Sequence, residues 1–132
     1  MPKTIFVIDD EPDVRAGMKA WLGDYGYYVV TAEDGEEGLE RLNTIRPDLI
    51  LLDITMPRRN GFDFLSRIKR NPDTSNIPVI MLTASMDANS IFKSQQLKAT
   101  DYVSKPFDEK ELLRLIRKYD GDFYSCQNSN NL

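Results

Sequence analysis

Apolar residues fall along this chain in two kinds of pattern. Short unbroken runs occur at Ile5-Phe6-Val7-Ile8, Leu49-Ile50-Leu51-Leu52 and Val79-Ile80-Met81-Leu82. Apolar runs without polar alternation predict strands buried on both faces, as in parallel sheets. Two further β-rich stretches, 27–32 and 101–103, complete a set of five predicted strands, the others covering 4–8, 49–53 and 78–83. Between them apolar positions recur at helical spacing. Val14, Met18, Trp21 and Leu22 make one face of a helix opened by Pro12 and ended by Gly23 to Gly26. Asp34 and Glu37 resemble a capping box for a second helix, which carries Leu39 and Leu42 and stops before Pro47. A third helix turns Phe62, Leu65 and Ile68 inward, with Phe64 as a further candidate, and leads into the turn-rich 71–76. Residues 87–98 read as a weak, polar helix. In the last helix, Leu112, Leu113, Leu115, Ile116 and Tyr119 form the apolar face behind a cap-like Asp108 and Glu111, and Gly121 closes it.

Strand and helix alternate throughout, which predicts an α/β protein: a parallel sheet, helices on both faces and right-handed crossovers. The 132 residues suit one domain, and a 41% hydrophobic content suffices for a core. The expected division is a folded unit over 1–120 and a loose Asn/Ser-rich tail over 121–132. A net charge of −4 argues against direct nucleic-acid binding and against an anionic membrane surface. The single Cys126 cannot form an internal disulfide, and neither a signal peptide nor a membrane-length apolar run is present. A cytoplasmic protein is expected. The absence of histidine excludes Ser-His triads, histidine metal sites and autophosphorylation on histidine.

The chemistry collects where strands end. Asp53 follows four aliphatic residues, Asp9-Asp10 follow the first strand, Thr83 ends the fourth and Lys105 follows the fifth. In open α/β sheets ligands bind at the carboxyl ends of the strands. Each residue has an ordinary reading by itself: a helix cap, a turn aspartate, a structural threonine, a solvated lysine. Their coincidence at four strand ends points to one site. Carboxylates about 4 Å apart repel by about 4 kcal/mol per pair at an effective dielectric near 20. A hard divalent cation such as Mg2+ relieves that repulsion and leaves positions for a phosphoryl oxygen. Asp53 could then act as a nucleophile toward phosphorus, with the metal, Lys105 and the Thr83 hydroxyl each meeting one phosphoryl oxygen.

The motifs Val7-Ile8-Asp9-Asp10-Glu11, Leu52-Asp53-Ile54-Thr55-Met56-Pro57 with Gly61, Leu82-Thr83-Ala84 and Asp101-Tyr102-Val103-Ser104-Lys105-Pro106-Phe107 together resemble the response-regulator receiver domain of two-component signalling. The resemblance spans about residues 4 to 119. It implies a flavodoxin-like, doubly wound five-stranded sheet. It implies that Asp53 accepts a phosphoryl group from a histidine kinase or histidine phosphotransfer protein. Asp9, Asp10, Asp53 and the backbone carbonyl of Thr55 would hold Mg2+. Thr83 and Lys105 would meet the phosphoryl group, and Lys105-Pro106 would be cis. Thr83 and Tyr102 would carry the switch to a downstream protein bound on the face of residues 87–119. Such a regulator catalyses only its own phosphorylation and dephosphorylation. Whether phosphorylation drives dimerisation is left open.

Some features depart from the family pattern. Lys98 stands where the family usually has Gly before Ala99, so the turn into the fifth strand is expected to differ. Thr55 and Ser85 hold positions that tune phosphoryl lifetime in the family. With no output domain after residue 119, a stand-alone receiver is expected. The competing reading is a haloacid-dehalogenase-type phosphatase with an Asp nucleophile. Those enzymes usually carry a second acid two residues after the nucleophile, where this chain has Thr55, and place their acidic metal pair after the lysine.

Overall fold

The structure, a computed structural model, describes residues 2–53, 61–83 and 95–119. Along the described residues run β1 (Thr4–Ile8), α1 (Pro12–Asp24), β2 (Tyr28–Ala32), α2 (Gly35–Arg41), β3 (Leu49–Asp53), α3 (Gly61–Arg70), β4 (Val79–Thr83), β5 (Asp101–Ser104) and α4 (Glu109–Tyr119). The strands form one parallel sheet in the order β2-β1-β3-β4-β5. This is the doubly wound arrangement that the alternation of strands and helices predicts. β3 is the middle strand, and every one of its residues is buried.

Because strand side chains alternate between faces, the unbroken apolar runs supply two cores. Phe6, Ile8, Ile50, Leu52, Val79 and Met81 pack with Leu42 beyond α2 and with Phe64, Leu65 and Ile68 of α3. Ile5, Val7, Leu49, Leu51, Ile80 and Leu82 pack with Met18 and Leu22 of α1 and with Leu112, Leu113 and Ile116 of α4. The inward face of α3 is shifted from the expected one. Phe64 is fully buried and Phe62 only half-buried, because the helix starts at Gly61 and its core stripe then falls on 61, 64, 65 and 68. Leu115 and Tyr119 likewise sit at the margin of the second core.

Helix ends follow local chemistry. Asp34 caps α2 by accepting the Glu37 amide at 2.9 Å. The Glu37 carboxylate pairs with Arg41 on the same helix. The buried Thr74 hydroxyl donates to the Ile68 carbonyl at 2.7 Å and closes α3. Tyr25 is the C-cap of α1, and Gly26 turns the chain with φ 91°. The turn before β5 contains a left-handed residue: Lys98 adopts φ 65°. L side chains disfavour that region by about 1–2 kcal/mol. So the lysine at this position sits in a conformation that costs strain. Of the predicted helix over 87–98, the part at 87–94 lies outside the described residues, as do the loop 54–60, with Thr55, Ser85 and the segment 120–132 that holds Gly121.

Candidate functional site at the carboxyl edge of the sheet

β1 and β3 are adjacent and in register, Ile8 opposite Leu52, so Asp9 leaves β1 beside the carboxyl end of β3. The strand order reverses direction here, at the crevice where such sheets bind ligands. Asp9, Asp10 and Asp53 each bring a carboxylate oxygen within 4.8 Å of the other two. Asp9 is 0% exposed and Asp53 5% exposed, while Asp10 faces solvent. On the other side, Asp53 pairs with Leu82 and Thr83 with Ser104. This register lines up the ends of β3, β4 and β5. Lys105, the next residue after β5, reaches back across the end of β4. Its Nζ lies 2.8 Å from Asp9 Oδ2 and 3.8 Å from Asp53 Oδ1. Its peptide bond to Pro106 is cis, as expected.

Asp9 is held at every polar atom. Its amide donates to the Ala32 carbonyl, its Oδ1 accepts the Glu11 amide, its Oδ2 accepts Lys105, and its carbonyl accepts Arg15 Nη1 at 2.7 Å. Neither Asp9 nor Asp10 caps α1, since the N-cap is Glu11 and makes no side-chain cap. Burial of Lys105 acts to lower its pKa. The hydrogen bond to Asp9 and the charges of Asp53, Asp9 and Glu11 outweigh burial, so the ammonium is held above its ordinary value of 10.5.

Four predicted site residues, Asp9, Asp10, Asp53 and Lys105, thus meet in one cleft. Thr83 ends β4 at the same edge of the sheet, and Thr55 lies outside the described residues. Tyr102 is elsewhere, half-buried on β5 against the α2/α3 core, its hydroxyl 3.4 Å from Gln95 Nε2. Residue patterns did not reveal the contacts of Glu11 and Arg15. The only available signal for Arg15 was a cation closing the acidic stretch 9–13.

Three clustered carboxylates and a lysine thus gather at the carboxyl edge of a doubly wound parallel sheet. The chain belongs to the response regulator receiver domain family, whose model matches residues 5–117. It is therefore a receiver domain of two-component signalling. It is 41% identical over 113 residues to a probable transcriptional regulator ycf27 of Guillardia theta, a match covering 86% of this chain and 43% of that protein. Its fold matches chemotaxis protein CheY4 of Vibrio cholerae with a TM-score of 0.86 at 28% identity, covering 90% and 99% of the two chains. It also matches the receiver domain of sensor histidine kinase PA1611 of Pseudomonas aeruginosa PAO1, with a TM-score of 0.84 at 27% identity over 92% and 99%. That domain was solved with a magnesium ion coordinated in its active-site cleft. The chain spans about half the length or less of the curated relatives it matches. Family membership does not favour the haloacid-dehalogenase reading. Among the described residues, no helix is long and apolar enough to cross a membrane.

Proposed function

We propose that this receiver is a phosphorylation-dependent switch in which Asp53 accepts a phosphoryl group from a phosphohistidine donor. The observation that carries the reading is the meeting of Asp53 with Asp9, Asp10 and Lys105 in one cleft. The donor set fits Mg2+, which prefers oxygen ligands, usually one or two carboxylates completed by waters. Asp9 and Asp53 supply buried carboxylates, and Asp10 supplies one open to solvent. Asp9, Asp10, Asp53 and the Thr55 carbonyl are the proposed ligands. When bound, Mg2+ neutralises charge on the phosphoryl oxygens.

The chain's own residues do the remaining work. A carboxylate oxygen of Asp53 forms the new P–O bond while the donor's P–N bond breaks. The electron pair returns to the donor imidazole, which takes up a proton. Lys105, held protonated, is proposed to pair with a phosphoryl oxygen. Thr83 is proposed to donate its hydroxyl to a phosphoryl oxygen and to draw its loop inward. Tyr102 then passes from half-buried to buried, which remodels the face of residues 87–119 for a downstream protein. A groove of about 590 Å³ runs from Lys105 and Glu11 along Val14, Gly17 and Trp21 to Phe107. It offers the kinase or phosphotransfer protein an approach to the cleft. The proposed setting is cytoplasmic, and the proposed output is protein contact rather than direct nucleic-acid binding.

The test is incubation with Mg2+ and a small phosphodonor, followed by intact-mass measurement. One added phosphoryl group is expected, abolished by EDTA and absent in Asp53→Asn. Full labelling of Asp53→Asn would refute the assignment. Tyr102→Ala is expected to accept phosphate and to lose coupling to its target, and normal target binding by that phosphorylated variant would remove Tyr102 from the switch.

A further inference from the structure

We infer that Arg15 is a positioning residue for the cation site, setting the direction from which Asp10 enters the cleft. The inference rests on the Mg2+ reading above. Arg15 lies in α1, just past its first turn, and its guanidinium Nη1 donates to the Asp9 carbonyl at 2.7 Å. That carbonyl and the Asp10 amide share one rigid peptide plane. Fixing the oxygen therefore fixes the plane that launches the Asp10 side chain. Asp9 itself is fixed independently, through Ala32, Glu11 and Lys105. Asp10 is exposed, and among the described residues no hydrogen bond or ion pair restrains its side chain. The usual helix device is also missing, because the N-cap Glu11 makes no side-chain hydrogen bond and Pro12 follows it. The turn between β1 and α1 is consequently tied to the helix by Arg15. Its positive charge also stands beside the acidic residues 9–13, which favours gathering them before a cation arrives.

Groups that orient metal ligands without touching the metal typically change metal affinity about 10–100-fold when removed. The experiment is calorimetric titration of the metal-free protein with Mg2+ alone, paired with thermal melts in EDTA. The series is wild type, Asp53→Asn, Arg15→Ala, Arg15→Met, Arg15→Lys and Lys19→Ala, the last altering an exposed α1 cation outside the site. Arg15→Ala is expected to bind Mg2+ about tenfold more weakly while melting cooperatively, and Lys19→Ala to match wild type. Arg15→Lys should fall between, since an ammonium restores a donor without the planar fork. If Arg15→Ala does not fold, Arg15→Met decides, because it keeps the aliphatic stem while removing the donor and its charge. Affinity within twofold of wild type in the folded variant would overturn the inference. If wild type binds no Mg2+, or if Asp53→Asn leaves its affinity unchanged, the metal reading itself fails and the role of Arg15 falls with it.

Discussion

In the metal-free protein, Asp10 should be a destabilising residue, and Asp10→Asn should raise stability. The Asp9, Asp10 and Asp53 carboxylates lie within 4.8 Å of one another. At that separation, two unit charges repel by about 3–4 kcal/mol at an effective dielectric of 20 and by about 1 kcal/mol in water. Lys105 offsets the repulsion for Asp9 at 2.8 Å and for Asp53 at 3.8 Å. No ion pair reaches Asp10 among the described residues, and its exposure places its two repulsions near the aqueous limit. Asparagine keeps the shape and removes the charge. The expected gain is about 1–2 kcal/mol, which raises Tm by several degrees, roughly 3–8 °C in a domain of this size. Mg2+ should reverse the order. A ligand that binds only the folded state stabilises it by about 2.7 kcal/mol at a hundred times its Kd, and the variant lacks one proposed ligand. Melting curves in EDTA and in rising Mg2+, at low ionic strength, should therefore cross. If the variant melts at or below wild type in EDTA, carboxylate repulsion at Asp10 does not destabilise the metal-free protein.

The other expectations concern the lysine and the close contacts around the sheet. Lys105→Met leaves the buried Asp9 without its ion pair and should destabilise the metal-free protein by about 3 kcal/mol, measured by urea titration. Because the folded pKa of Lys105 lies above 10.5, that contribution should be complete below pH 10.5 and vanish as pH rises through the raised value. A difference between the two proteins that is unchanged well into the alkaline range would contradict this. Gly38→Ala should lower stability by about 1 kcal/mol in the same titration, since its Cβ would come 2.9 Å from both Ile8 Cδ1 and Phe64 Cε2. Gly17→Ala, with nothing within 4 Å, should instead gain about 0.5–1 kcal/mol from helix propensity. Lys98→Gly should stabilise by up to about 1 kcal/mol by relieving the left-handed backbone, and a loss would show that the lysine side chain outweighs the strain.

How much of this was legible in the residues depends on what each contact is made of. Asp53 and Asp9 could be placed because each follows a short unbroken apolar run, whose length and β-rich make-up favour a buried strand. The inward face of α3 was harder to read. Phe62 and Phe64 both suit a helical stripe, and the choice between them depends on where the helix begins. The contact of Arg15 with the Asp9 carbonyl left no side-chain pattern, because a backbone oxygen looks alike at every position. Lys98 was visible as a departure from the family. Its φ of 65° was not, since only the surrounding turn determines whether a lysine adopts that region or reshapes the chain.

The register of two strands then decides whether the site exists. In β1 and β3, the odd-numbered residues Ile5, Val7, Leu49 and Leu51 enter the core beneath α1 and α4, while the even-numbered Phe6, Ile8, Ile50 and Leu52 enter the core beneath α2 and α3. Asp53 continues the odd series of β3. Asp9 continues that of β1, with its amide still bonded to Ala32 of β2. Both carboxylates therefore belong to the face that carries α1 and the loop from Lys105 to α4. A slip of one residue in β3 would exchange the two series. It would send Leu49 and Leu51 into the wrong core and turn Asp53 away from Asp9 and Lys105. The hydrophobic selection that holds β3 in register is thus the same selection that keeps the proposed acceptor carboxylate facing its partners.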